Sequence, residues 1–119
     1  MSNRTDRDAP FWTLAEPLLA RAGVTRSTMM GFPCLRLNGD FFASWDHRAK
    51  QLVVKLNQAS VTALIDIGDA TAFAPSGRPF RQWAAIPATN RESWPDMLDQ
   101  AYHHALRRQP QPGPGPTGV

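Results

Sequence analysis

The feature that most constrains this chain is a change of hydrophobic period. From Thr25 to Leu56 the runs "STMMGF", "CLRL", "FFASW" and "QLVVKL" are short and β-prone, with turn signals between them. On either side the apolar residues recur at helical spacing. Phe11, Leu14, Leu18 and Ala22 share one stripe, and Trp94, Met97, Leu98, Ala101, Tyr102 and Ala105 share another. The strand connections are too short for crossover helices, so neighbouring strands must run antiparallel. The pattern predicts an α+β domain: an antiparallel β-sheet meander of about five to six strands with an N-terminal, a middle and a C-terminal helix.

At 119 residues the chain supports one core and not two. Residues 1–7 read as a disordered N-terminus, residues 8–108 as the single domain, and residues 109–119, "QPQPGPGPTGV", as a disordered Pro/Gly-rich tail. Asp8 is placed to cap a helix over 9–22, with Pro10 in its first turn, Pro17 as a kink and Gly23 as its stop. Asn57 is placed to cap "QASVTALIDI", which Gly68 ends. "TAFAP" and "FRQWAAIP" read as two further strands around the turn "SGRP". The last helix reads from Trp94 to Arg108, with Ser93 as its cap and Pro95 in its first turn.

The hairpin around Asn38-Gly39 allows two registers. A two-residue turn pairs Leu37 with Asp40, which the turn chemistry favours. A three-residue loop pairs Leu37 with Phe41 and gathers Leu35, Leu37, Phe41, Ala43 and Trp45 on one face. Side-chain sorting favours this second register, because burial normally fixes pairing. In both, Phe41 and Phe42 point to opposite faces. Helices then cover both faces, or one face receives a partner.

No window approaches the ~18 to 20 apolar residues of a membrane span. The opening "MSNRTDRDAP" has no apolar segment of a signal peptide, and Cys34 is the single cysteine. Both point to the reducing cytoplasm. The net charge of +3 permits nucleic-acid binding without requiring it.

Few residues carry candidate chemistry. Cys34 and His47 are the types of a thiol–imidazole pair, but Cys34 lies mid-strand and His47 in a turn, so a packed thiol is the plainer reading. His103 and His104 are adjacent on a helix, about 100° apart, and do not converge on one metal. Asp96 and Asp99 read as a solvated face. No glycine loop cradles a phosphate. The expectation is no catalytic residue, no cofactor and no metal. Arg78, Arg81 and Trp83 in "SGRPFRQWA" form a more informative group. Period two puts Arg81 and Trp83 on one strand face, and Lys55 and Arg36 join them if the pairing allows. Guanidinium groups beside an indole suit phosphates and bases. The plainer reading is a buried Trp83 with the arginines paired to Asp46, Asp66 or Asp69. Four tryptophans allow two or three in the core, with an exposed one marking a partner surface.

The order "MMGFPCLRLNGDFFA", "LVVKL", "GDATAFAPSGRPFRQWAAIP" and a helix with Trp94, Leu98, Ala101 and Tyr102 resembles the N-terminal domain of TfoX/Sxy proteins. Its later half is also similar to the related MmcQ/YjbR group. The resemblance covers about residues 11–106. Gly31-Phe32 stands where that family has Gly-Gly, and Asn38-Gly39 where it has Asp-Gly. The resemblance implies a small α+β fold, no catalytic residues, and a link to DNA binding or transcription regulation. The expectation is therefore a non-enzymatic, TfoX-like or YjbR-like domain acting on nucleic acid. The alternative is a module for protein–protein contact or homodimerisation, with no membrane partner in either case.

Overall fold

The computed structural model describes residues 3–29, 31–74 and 77–109. Six strands form one antiparallel sheet: β1 (Val24–Met29), β2 (Phe32–Leu37), β3 (Asp40–Asp46), β4 (Gln51–Lys55), β5 (Thr71–Ala72) and β6 (Trp83–Ile86). Their spatial order is β1-β2-β3-β4-β6-β5. Three α-helices accompany them: α1 (Asn3–Leu19), α2 (Gln58–Asp66) and α3 (Trp94–Arg108). The α+β architecture with its N-terminal, middle and C-terminal helices is as the sequence predicts.

The hairpin resolves the two registers by using both. Asn38 and Gly39 have φ of 51° and 89°, and Leu37 pairs with Asp40, so the tip is a two-residue turn. One extra residue, Phe42, then bulges out of the ladder. Beyond it Leu35 pairs with Ala43 and Cys34 with Ser44, which is the pairing of the longer loop. The expected three-residue loop is thus corrected at the tip. Phe42, not Phe41, joins the core, fully buried beside Leu35, Leu37, Ala43 and Trp45.

That core lies on one face of the sheet. Phe11 of α1 stacks on Trp45 at 6.5 Å, Trp94 of α3 meets Trp45 edge-on at 5.4 Å, and Tyr102 of α3 meets Phe42 at 6.2 Å. The helix α2 packs on β5 and β6 and adds Val61 to the same core. On the other face the pairing sets Ser27, Cys34, Ser44, Val53 and Ala85 side by side in one row across five strands.

The ends of the helices differ from expectation in physically simple ways. Residues 3–7 extend α1 instead of preceding it, while residues 1 and 2 and the tail 110–119 lie outside the described residues. Pro10 and Pro17 are both exposed, so the ladder bonds they remove face water. The helix stops at Leu19, soon after Pro17. Asn57 does cap α2, accepting the N–H of Ser60 at 2.8 Å. Ser93 stands at the N-cap of α3 as expected but makes no side-chain capping bond: its hydroxyl donates to the Asn90 carbonyl at 2.9 Å, closing the 3₁₀ turn Ala88–Ser93.

Gly23 connects the first helix to the sheet. Its φ is +83°, its carbonyl accepts the Asn38 N–H at 2.8 Å, and an added Cβ would lie 2.6 Å from the Asn38 side-chain oxygen. Gly68 has a similar φ of +86° but open space around it. Gly68→Ala should therefore cost about 1 kcal/mol, the penalty of a left-handed alanine. Gly23→Ala should cost more, because the hairpin tip must also shift. Chemical denaturation of the two variants checks the order. Equal losses would show that the tip moves freely.

His104 supplies a pH prediction. Its Nε2 is buried without a hydrogen-bond partner, and burial together with the cations of Arg108, Arg107 and Lys55 lowers its pKa below 6.5, against a smaller opposing pull from Asp40. The unfolded chain then binds the proton more readily than the folded one. This contribution to stability is present above about pH 6.5 and is lost as pH falls toward the lowered folded value. The melting temperature should drop less on acidification in His104→Gln than in the parent, and equal drops would refute this.

Candidate nucleic-acid interface

The face opposite the helices is a trough between two ridges. Its floor is the row of small side chains through Cys34, Ser44, Val53 and Ala85, all buried. Two residues along each strand in either direction stand larger groups. On one side are Arg36, Lys55 and Trp83, with Phe41, displaced by the bulge, under Arg36. On the other are Phe32, Asp46 and Gln51. Four residues separate the ridges, about 13 Å at the rise of a strand.

Cations lie over aromatic rings on both ridges. The Arg36 guanidinium lies 4.3 Å from the Phe41 ring centre, and the Lys55 ammonium 6.0 Å from that of Trp83. Lys55 and Trp83 are direct partners across β4 and β6. Phe73 packs on Trp83 and on Phe80, at 6.3 and 5.7 Å, and Phe80 is 44% exposed. On the other ridge Arg48 lies 5.6 Å from the Phe32 ring, which also meets His47 at 4.8 Å.

Among the described residues, none of Arg36, Arg48, Lys55, Arg78 or Arg81 pairs with a carboxylate. The ion pairs there are Arg7–Asp8, Arg21–Asp99, His103–Asp99 and Arg108–Asp40. The expected pairing with Asp46, Asp66 or Asp69 is not formed. Asp46 instead accepts the backbone N–H groups of Arg48 and Ala49 and holds the turn. The Nε of Arg36 is buried without a hydrogen-bond partner, and the guanidinium lies over the Phe41 ring.

The five sequence candidates divide into two sets. Arg36, Lys55 and Trp83 do share one sheet face. Arg78 and Arg81 are exposed in the loop between β5 and β6. The expected strand through Arg81 is a turn: the N–H of Trp83 bonds the Phe80 carbonyl at 3.0 Å, and Pro79 has no N–H to give a ladder. The expected strand "TAFAP" shortens to Thr71–Ala72 for the same reason, since Phe73 pairs with Phe80 instead. Trp83 is half-buried rather than buried, as is Trp12, while Trp45 and Trp94 are core. Sequence reasoning missed Phe41, Phe73, Phe80, Phe32 and Arg48 as members of the face. The signal for Phe41 was its doublet with Phe42.

Cys34 sits in the trough floor with no exposed surface. Burial pushes its thiol up to about 11, against smaller opposing effects from the Arg36 charge and a Ser27 hydrogen bond. Among the described residues no group of three or more His, Cys, Asp or Glu converges as metal ligands, and no helix is long and apolar enough to cross a membrane.

Compared with family models, curated proteins and solved structures, the chain finds no match in any of the three.

The state of Cys34 gives a prediction. A buried, protonated thiol reacts only when the sheet opens, so iodoacetamide at pH 8 should label it at least about a hundredfold faster in denaturant than in buffer. Equal rates would mean an open trough floor.

Proposed function

We propose that this chain is a non-enzymatic, TfoX-like small domain that binds single-stranded nucleic acid across the open face of its sheet, in a regulatory or accessory role in the cytoplasm. The observation that carries the reading is the ridge of Arg36, Lys55 and Trp83, cations on aromatic rings without carboxylate partners among the described residues. Such a ridge offers charge to phosphates and flat surfaces, guanidinium included, to bases. The exposed Arg78 and Arg81 beside Phe80 extend it along the strand direction. The motif order shared with TfoX/Sxy domains agrees with this reading.

Single-stranded substrate is favoured over duplex by shape. Reading a duplex groove takes a protruding helix or ribbon. Here the long helices α1 and α3 lie against the sheet. A trough edged by stacking surfaces suits unpaired bases. A binding role rather than a catalytic one is supported by Cys34, whose thiol is held protonated.

The test is fluorescence anisotropy with a labelled mixed-sequence single strand and its duplex, titrated with salt. The single strand should bind more tightly, with affinity falling steeply as salt rises. Arg36→Ala with Lys55→Ala should weaken binding about tenfold and flatten the salt dependence by the equivalent of one to two phosphates. Arg78→Ala with Arg81→Ala should weaken it without loss of thermal stability. No binding at low salt would overturn the reading and leave the homodimer or protein-partner alternative, for which sedimentation of the same sample supplies the next datum.

A further inference from the structure

A second feature lies on the helix side of the sheet, where Trp45 and Trp94 line a cavity. Between the start of α1, the β3–β4 turn and the 3₁₀ turn is a cavity of about 570 Å³. Its floor is the edges of Trp45 and Trp94. Both indole N–H groups are already used: Trp45 donates to the Arg7 carbonyl at 3.0 Å and Trp94 to the Ile86 carbonyl at 3.0 Å. The floor therefore presents carbon to the cavity and is fixed in place from behind.

The rim has a different character. Arg7, His47, Lys50 and Arg91 stand around the opening, and no carboxylate lines it. Lys50 and Arg91 form no ion pair among the described residues, and Arg7 meets only Asp8, at 3.7 Å. Lys50 is held at its place by a left-handed backbone, φ 55°, at the end of the turn that Asp46 caps. The four rim groups come from α1, the β3–β4 turn and the 3₁₀ turn, so the concentration of positive charge is a product of the fold.

An apolar floor with a purely basic rim selects an amphiphilic anion. The floor gives no hydrogen bond to a neutral polar molecule, and the rim disfavours a cation. The volume lies within the range of small-ligand sites. Three to four cationic or titratable groups suit a dianion better than a monoanion, and guanidinium groups match phosphate geometry. We infer that this cavity binds a small organic phosphate monoester with an apolar, ring-containing body, the phosphate at the rim among Lys50, Arg91 and Arg7 and the ring over Trp45 and Trp94. The site meets the Phe32 ridge at His47 but shares no residue with the Arg36–Lys55–Trp83 ridge that carries the nucleic-acid reading.

The experiment is isothermal titration with 1-naphthyl phosphate, 1-naphthol and inorganic phosphate. The ester should bind one to one in the micromolar range, and each half-molecule at least about tenfold more weakly, since each lacks one of the two contacts. Arg91→Ala and Lys50→Gln are exposed-site changes and should each weaken the ester several-fold and together about tenfold or more. Arg36→Ala with Lys55→Ala should leave it unchanged, which separates this site from the sheet face. Equal binding of naphthol, unaltered affinity in the rim variants, or no heat from the ester at 1 mM would each overturn the proposal.

Discussion

The bulge at Phe42 is the constraint on which the rest of the sheet depends. A two-residue turn at Asn38-Gly39 is the tip that the chain favours locally. Carried down the ladder without interruption, that register would oppose the burial of Ala43 and Trp45 together with Leu35 and Leu37. One extra residue corrects the phase. The tip register keeps Phe42 on the core side against Tyr102 and Phe41 on the far face beneath Arg36, and beyond the bulge Ala43 and Trp45 join Leu35 and Leu37. Burying a phenylalanine contributes about 2–3 kcal/mol, enough to hold a local irregularity in the ladder. The shift thereby brings Trp45 into the aromatic core of the helix face, against Phe11 and Trp94.

Once the phase is set, the two faces acquire different chemistry. Toward the helices stand Leu35, Leu37, Val54, Leu52 and Ile86, large and apolar, and α1 and α3 close over them. On the other face the central row is small, Ser27 to Ala85, and the tall groups are displaced to two ridges. Small floor residues let the long stems of Arg36 and Lys55 lie along the sheet while their charges stay near the surface. Cys34 and Val53 are buried on this face.

The sequence made the elements legible wherever the signal was local. The helical stripe of α3, the Asn57 cap, the strands β2 to β4 and the positions of the turns follow from spacing and turn chemistry within a few residues. What was not legible depended on contacts distant in sequence. The bulge follows from a conflict between a turn preference and a packing preference, and neither alone specifies it. The loss of strand at Phe80 and Arg81 goes with the Trp83 N–H turning back to Phe80 and with Phe73 packing on both Phe80 and Trp83. The rim cavity was not anticipated, because Arg7, Lys50 and Arg91 are far apart in sequence and each alone resembles an ordinary surface charge. Arg36, Lys55 and Trp83 could be grouped beforehand because strand period and pairing suffice to align them.

The placement of charge connects the two candidate surfaces. The carboxylates in ion pairs serve α1 and α3: Asp8 meets Arg7, Asp99 meets Arg21 and His103, and Asp40 meets Arg108. Asp46 is occupied by backbone N–H groups. Among the described residues these acids hold helices and a turn, while Arg36, Arg48 and Lys55 of the open face and Lys50 and Arg91 of the cavity rim have no ion pair. A net charge of only +3 then understates the local field. On the open face Arg36, Arg48 and Lys55 lie over aromatic rings, and at the cavity Lys50 and Arg91 share a lining with Trp45 and Trp94.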